Sequence, residues 1–145
     1  MFQFFSKRLR NDRGFTLIEL LIVVAIIAIL AAILIPNFLR ARAQSQISAS
    51  KGNLKNFGTA LESYFVNNGQ YPSGTDLMEL EPDYIRDVVA ANIDPCTGTA
   101  YSYTPSGSPP TDYVLATPDW TGTQCANILS GGLTYTPGGG LAESP

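Results

Sequence analysis

No histidine occurs in the 145 residues. That removes the side chain most used as a general base at neutral pH and the most frequent metal ligand. Only two cysteines are present, Cys96 and Cys125, too far apart for a redox pair and without a companion set for zinc. A serine or cysteine nucleophile would need lysine as its base, and past residue 14 the only lysines are Lys51 and Lys55. Basic residues are also scarce there: Arg40, Arg42, Arg86 and those two lysines. An acidic body with no basic tract excludes nucleic-acid binding as a main role and leaves only a local patch at 40–55. Gly138-Gly139-Gly140 precedes no lysine and opens no helix, so it is not a phosphate loop. The carboxylates Asp76, Glu79, Glu81, Asp83 and Asp87 match no calcium-loop spacing and read as a solvated face. The sequence therefore predicts no catalytic residue, no metal and no cofactor, and the chain is not expected to be an enzyme.

What the chain has in abundance is one apolar run. Sixteen unbroken apolar residues lie between Leu20 and Ile35, and Phe15–Ile35 is interrupted only by Thr16 and Glu19. As a helix this segment spans about 31 Å, the thickness of a bilayer's hydrocarbon. Before it stand Lys7, Arg8, Arg10 and Arg13 against Asp12, while the whole chain carries −3. Positive charge ahead of a span places the leader in the cytoplasm and the remainder outside it. An ordinary secretory signal is cut after its apolar region. Here the punctuation, Gly14, comes before it. Cleavage after Gly14 would leave the apolar helix in the mature chain and create a free amine on Phe15.

Glu19 is the anomaly, because a carboxylate in an apolar span is costly and usually has a partner. One account is local: in the first helical turn the dipole favours an anion. The other is a counter-ion, the Phe15 ammonium, reached from a neighbouring chain staggered along the axis.

Past Pro36 an apolar stripe continues through Ile47, Leu54, Phe57, Leu61 and Phe65, with Lys51, Lys55, Asn56 and Glu62 on the wet side. Asn67-Asn68-Gly69 is a stop signal. The spacing predicts a helix over 15–66, about 78 Å long, kinked at Pro36 and weakened by Gly52 and Gly58. Helical turns are expected at 76–79 and 82–89, and strands at 99–104, 112–117 and within 126–135. The cysteines suit one disulfide in an oxidising compartment, clamping a segment across the sheet; two buried free thiols are the alternative. The expected organisation is a leader at 1–14, an apolar half-helix at 15–36, an amphipathic half at 37–67, a head at 68–136 and a flexible tail at 137–145.

Arg13-Gly14-Phe15-Thr16-Leu17-Ile18-Glu19-Leu20, the apolar run and Pro36-Asn37 resemble the class III leader and N-terminal helix of type IV pilins and type II secretion pseudopilins. Tyr64-Phe65-Val66-Asn67-Asn68-Gly69-Gln70-Tyr71-Pro72 and Asp94-Pro95-Cys96-Thr97-Gly98 resemble the same superfamily less specifically. The resemblance implies an α+β pilin fold, with a long helix packed by its C-terminal half on a small antiparallel sheet. It implies cutting and N-methylation at Gly14/Phe15 by a prepilin peptidase/methyltransferase, and assembly roles for Glu19 and Pro36. Implied partners are copies of the chain in a helical filament, inner-membrane pilus assembly machinery, minor pilins and membrane lipid. The chain would be a single-pass inner-membrane protein before assembly and a surface pilus, or periplasmic pseudopilus, afterwards. Ala28 stands where many relatives carry a helix glycine. Thr117-Pro118-Asp119-Trp120-Thr121-Gly122 does not reproduce the secretion-type calcium loop, and a cysteine pair is present instead, which favours pilin. Asn68-Gly69-Gln70-Tyr71-Pro72 pulls towards pseudopilin. A tethered binding domain that never polymerises is the rival of another class.

Overall fold

The computed structural model describes residues 14–144. The expected leader, apart from Gly14, lies outside the described residues. The chain divides into two compact units, one ending at Pro36 and the other running from Asn37. Helix α1, Leu17–Asn68, contributes to both, with Pro36 inside it.

In the first unit every described residue is exposed except the half-buried Ala31. Among the described residues α1 is the one helix long and apolar enough to cross a membrane, with a mean hydropathy of 3.3 over its most apolar window.

The second unit is built on the rest of α1. Ile47, Leu54, Phe57 and Leu61 are buried together, as the stripe requires, while Phe65 is half-buried at its end. Gly69, at φ 74°, ends the helix, and its amide donates to the Phe65 carbonyl at 2.7 Å. This is the left-handed cap that Asn-Asn-Gly signals. A four-stranded antiparallel sheet covers the stripe: β1 Ser102–Gly107, β2 Pro110–Ala116, β3 Gly132–Thr136 and β4 Gly140–Ser144, in that spatial order. Tyr103, Tyr113, Leu115 and Leu133 point into the core. A long amphipathic helix on a small sheet is the α+β architecture expected.

Several local expectations need correction. The tail is not a flexible end: residues 140–144 pair with β3, in register Thr136↔Gly140 to Gly132↔Ser144. Gly140 supplies φ 67° for the turn, so the glycine run closes a hairpin. The first hairpin is tighter than expected. Pro105 and Ser106 stay paired with Tyr113 and Asp112, because β1 is an edge strand where proline's missing donor is tolerated. The turn expected at 76–79 is a 3₁₀ turn at Met78–Leu80 without a side-chain cap. The one expected at 82–89 is the short helix α2, Val88–Ala91, started where the Asp87 carboxylate accepts from Ala90 N at 2.8 Å. Gly58 packs tightly: a Cβ there would run into the ring of Tyr135, which would have to shift. Gly52 faces open space.

Cys96 and Cys125 form a disulfide across 29 residues of chain that contain β1 and β2. On the loop-entropy model such a closure stabilises by about 3–4 kcal/mol.

Candidate assembly site

The start of α1 is shaped by two side chains. Thr16 Oγ1 accepts from Glu19 N at 3.2 Å, and the Glu19 carboxylate accepts from Thr16 N at 2.9 Å and Thr16 Oγ1 at 2.7 Å. Thr-x-x-Glu is a reciprocal capping box, satisfying amides that a helix start leaves without partners. Both bonds to the carboxylate use Oε2. Oε1 accepts nothing from a described residue. The local account of Glu19 thus covers one oxygen, and the other stays open to a donor.

Gly14 and Phe15 precede the helix in exposed, non-helical chain. A Cβ at Gly14 would meet nothing within 4 Å. Among the described residues, then, no neighbour requires a glycine there. Phe15 presents its ring to solvent at 77 % exposure, followed by the unburied side chains of Leu17, Ile18 and Leu20. Such a surface has to be covered by lipid or protein.

In the second unit a polar cluster missed by the sequence reading ties α1 to the disulfide segment. Asp94 is completely buried. One carboxylate oxygen accepts from Ser50 Oγ on α1 at 2.5 Å. The other accepts from Trp120 Nε1 at 3.0 Å, from Cys96 N and Thr97 N at 3.2 and 3.1 Å, and from Thr97 Oγ1 at 3.1 Å. A buried carboxylate is tolerable only when its oxygens are this fully engaged. Gln46 Nε2 donates to the Pro95 carbonyl at 2.7 Å, one turn earlier on the helix. The available signal was Asp-Pro-Cys, since an aspartate closing a turn on its own following amides is common. The Ser50 and Trp120 partners, 44 and 26 residues away, carried no local signal.

Glu62 also departs from expectation. Placed on the wet face, it is half-buried and accepts from Tyr71 Oη at 3.1 Å and Tyr113 Oη at 3.5 Å. Burial, with Glu62 alongside, pushes the Tyr71 hydroxyl up to about 12. Burial likewise raises Tyr103 and Tyr113 above the ordinary phenol value. These rings lie against one another, with Tyr71–Tyr113 centroids at 4.8 Å and Phe65–Tyr71 at 4.6 Å. Among the described residues no group of three or more potential ligands is placed to hold a metal ion.

Residues 9–35 match the prokaryotic N-terminal methylation motif. The chain is 39 % identical over 112 residues to the type IV wide pilus major component PilA4 of Thermus thermophilus, covering 77 % of this chain and 86 % of that protein. The chain belongs to the type IV pilin family. It is also 50 % identical over 73 residues to the type IV major pilin protein PilA of Myxococcus xanthus, covering half of this chain and 33 % of that one. Against the type II secretion system core protein G of Pseudomonas aeruginosa identity is 41 % over 64 residues, 44 % of this chain and 45 % of that protein. The chain thus spans less than half the length of these last two relatives. The pilin superfamily includes both kinds of filament subunit, and the similarities lean towards the pilin side.

Proposed function

We propose that this pilin is the structural subunit of a type IV pilus, polymerising through the first part of α1 into a surface filament. The observation that carries the proposal is the half-satisfied Glu19 at the head of an uncovered apolar helix. Oε2 is held by Thr16 while Oε1 has no donor among the described residues, and Phe15 stands four residues before Glu19. A prepilin peptidase/methyltransferase would cut between Gly14 and Phe15 and methylate the new amine. That ammonium on a neighbouring copy is the natural donor to Oε1 in a dry interface. The ion pair selects register; burial of the Leu20–Ile35 side chains supplies the energy, at about 25 cal/mol per Å². Pro36 has no amide to donate, so one carbonyl of the preceding helical turn loses its usual partner and the helix is locally weakened there.

Before assembly the chain would sit in the inner membrane with its second unit outside the cytoplasm, loaded by the membrane assembly machinery alongside minor pilins. No reaction is assigned to it. Glu19→Ala or Glu19→Leu is the test. Both should be processed and inserted normally yet yield no filaments, and normal filaments from either would remove the pairing.

A second reading, major pseudopilin of a type II secretion system, is favoured by the similarity to core protein G and by Asn68-Gly69-Gln70-Tyr71-Pro72. Deleting the chain separates the two: loss of surface fibres with intact secretion supports the pilus, and the reverse supports the pseudopilus.

A further inference from the structure

We propose that the solvent side of α1 between Arg40 and Lys55 docks the acidic 76–87 segment of a second copy of this chain, stacked in the same direction along the helix axis. The proposal rests on the filament reading and adds a contact between the second units.

Charge in this unit is segregated. From Asn37 to Leu61 the helix carries Arg40, Arg42, Lys51 and Lys55 and no carboxylate. Arg40, Arg42 and Lys55 are exposed and Lys51 partly so. None of the four forms an ion pair with a described residue. At about 100° per residue Arg40, Lys51 and Lys55 fall within roughly 60° of arc, flanking the buried stripe. Five exposed carboxylates, Asp76, Glu79, Glu81, Asp83 and Asp87, lie in one segment with one cation, Arg86, while the exposed Asp112, Asp119 and Glu143 are scattered elsewhere in the unit.

The two clusters sit at different heights on the same helix. Glu79 accepts from Tyr64 Oη at 2.9 Å, and Asn67 Nδ2 donates to Tyr84 Oη at 3.0 Å. Asp83 shares a surface hollow with Thr59 and Ser63. The acidic segment therefore flanks positions 59–67 of α1, while the cations occupy 40–55. At 1.5 Å per residue the offset is about 15–30 Å. Two copies side by side without a shift would set like charges against each other. A shift along the axis by that offset brings the acidic segment of one copy over the basic side of the next. Copies anchored by the same apolar segment leave a membrane in one direction, so the contact is heterologous and does not close on itself, the geometry of a filament.

An anionic lipid surface is the competing occupant. It accounts poorly for Lys51 and Lys55, which lie 14 and 18 residues beyond Asn37. At the helical rise Lys51 is about 21 Å away, well past the ~8 Å over which salt screens exposed charge.

The test uses the full chain expressed in filament-forming cells. Asp76 and Asp83 serve for the acidic side because neither holds another group by a hydrogen bond. Lys51→Glu with Lys55→Glu, or Asp76→Lys with Asp83→Lys, should lower the yield of sheared filaments about tenfold, the summed effect of a few exposed pairs. All four substitutions together should restore it. Retention of the disulfide and unchanged Trp120 emission report that each variant folds. Undiminished filaments from Lys51→Glu/Lys55→Glu, or no recovery in the fourfold variant, overturn the proposal and leave the filament reading intact. So does a result in which only Arg40→Glu/Arg42→Glu has an effect, by loosening membrane retention. A native chain that forms no filament overturns both.

Discussion

Replacing Asp94 by alanine should destabilise the second unit by about 2–4 kcal/mol, whereas asparagine should cost only about 1 kcal/mol. Alanine leaves the Trp120 indole N–H and the amides of Cys96 and Thr97 without an acceptor. Each stranded donor costs about 1–3 kcal/mol, less for the two amides because Cys96 and Thr97 are only half-buried and water can reach them. Release of the carboxylate's own desolvation penalty offsets part of that loss. Asparagine can keep the connectivity. Its carbonyl oxygen can occupy the position that receives four donors. Its NH2 can then donate to Ser50 Oγ, whose hydroxyl still reaches the Gln46 carbonyl. What is lost is charge assistance alone. For a unit of this size the alanine loss corresponds to a fall in Tm of about 10–20 °C. Trp120 is the chain's single tryptophan and touches the substituted group, so its emission during heating of the detergent-solubilised chain reads the transition directly. Equal losses for both variants, or a loss below 1 kcal/mol for alanine, would refute the view that stranded donors dominate.

Gly14→Leu should leave an unprocessed precursor, seen by intact mass as a chain that still carries residues 1–14; since no described residue crowds Gly14, folding of the second unit should be unaffected. Gly52→Ala should raise stability by about 0.5–1 kcal/mol, the intrinsic helix gain, whereas Gly58→Ala should yield no gain because its methyl group meets the Tyr135 ring; thermal melts of both variants compare them. Tyr71, Tyr103 and Tyr113 ionise less readily in the folded chain than in the unfolded one. Their stabilising contribution is therefore complete below about pH 10 and declines as pH rises from there through 12. Phenolate absorbance should show these rings titrating together with unfolding, and titration at the ordinary value in a folded chain would contradict the burial argument.

The sequence alone determined most of what has a local cause. The apolar run, the stripe of Ile47, Leu54, Phe57 and Leu61, and the Asn-Asn-Gly stop each follow from side chains a few positions apart, and the structure reproduces them. The candidate assembly residues can be proposed for the same reason, because Gly14, Phe15 and Glu19 lie within six residues. The capping partnership of Thr16 with Glu19 is local as well, although the apolar run around Glu19 makes its carboxylate read as isolated. Tertiary structure decided what depends on distant partners. Glu62 reads as a solvated residue until Tyr71 and Tyr113 arrive over it. Residues 140–144 read as a loose end until β3 offers unpaired backbone. Asp94 reads as a turn residue until the disulfide segment carries it to Ser50 and Trp120. A short polar or glycine-rich segment has no strong preference of its own, so the partner that chain folding brings to it sets its role.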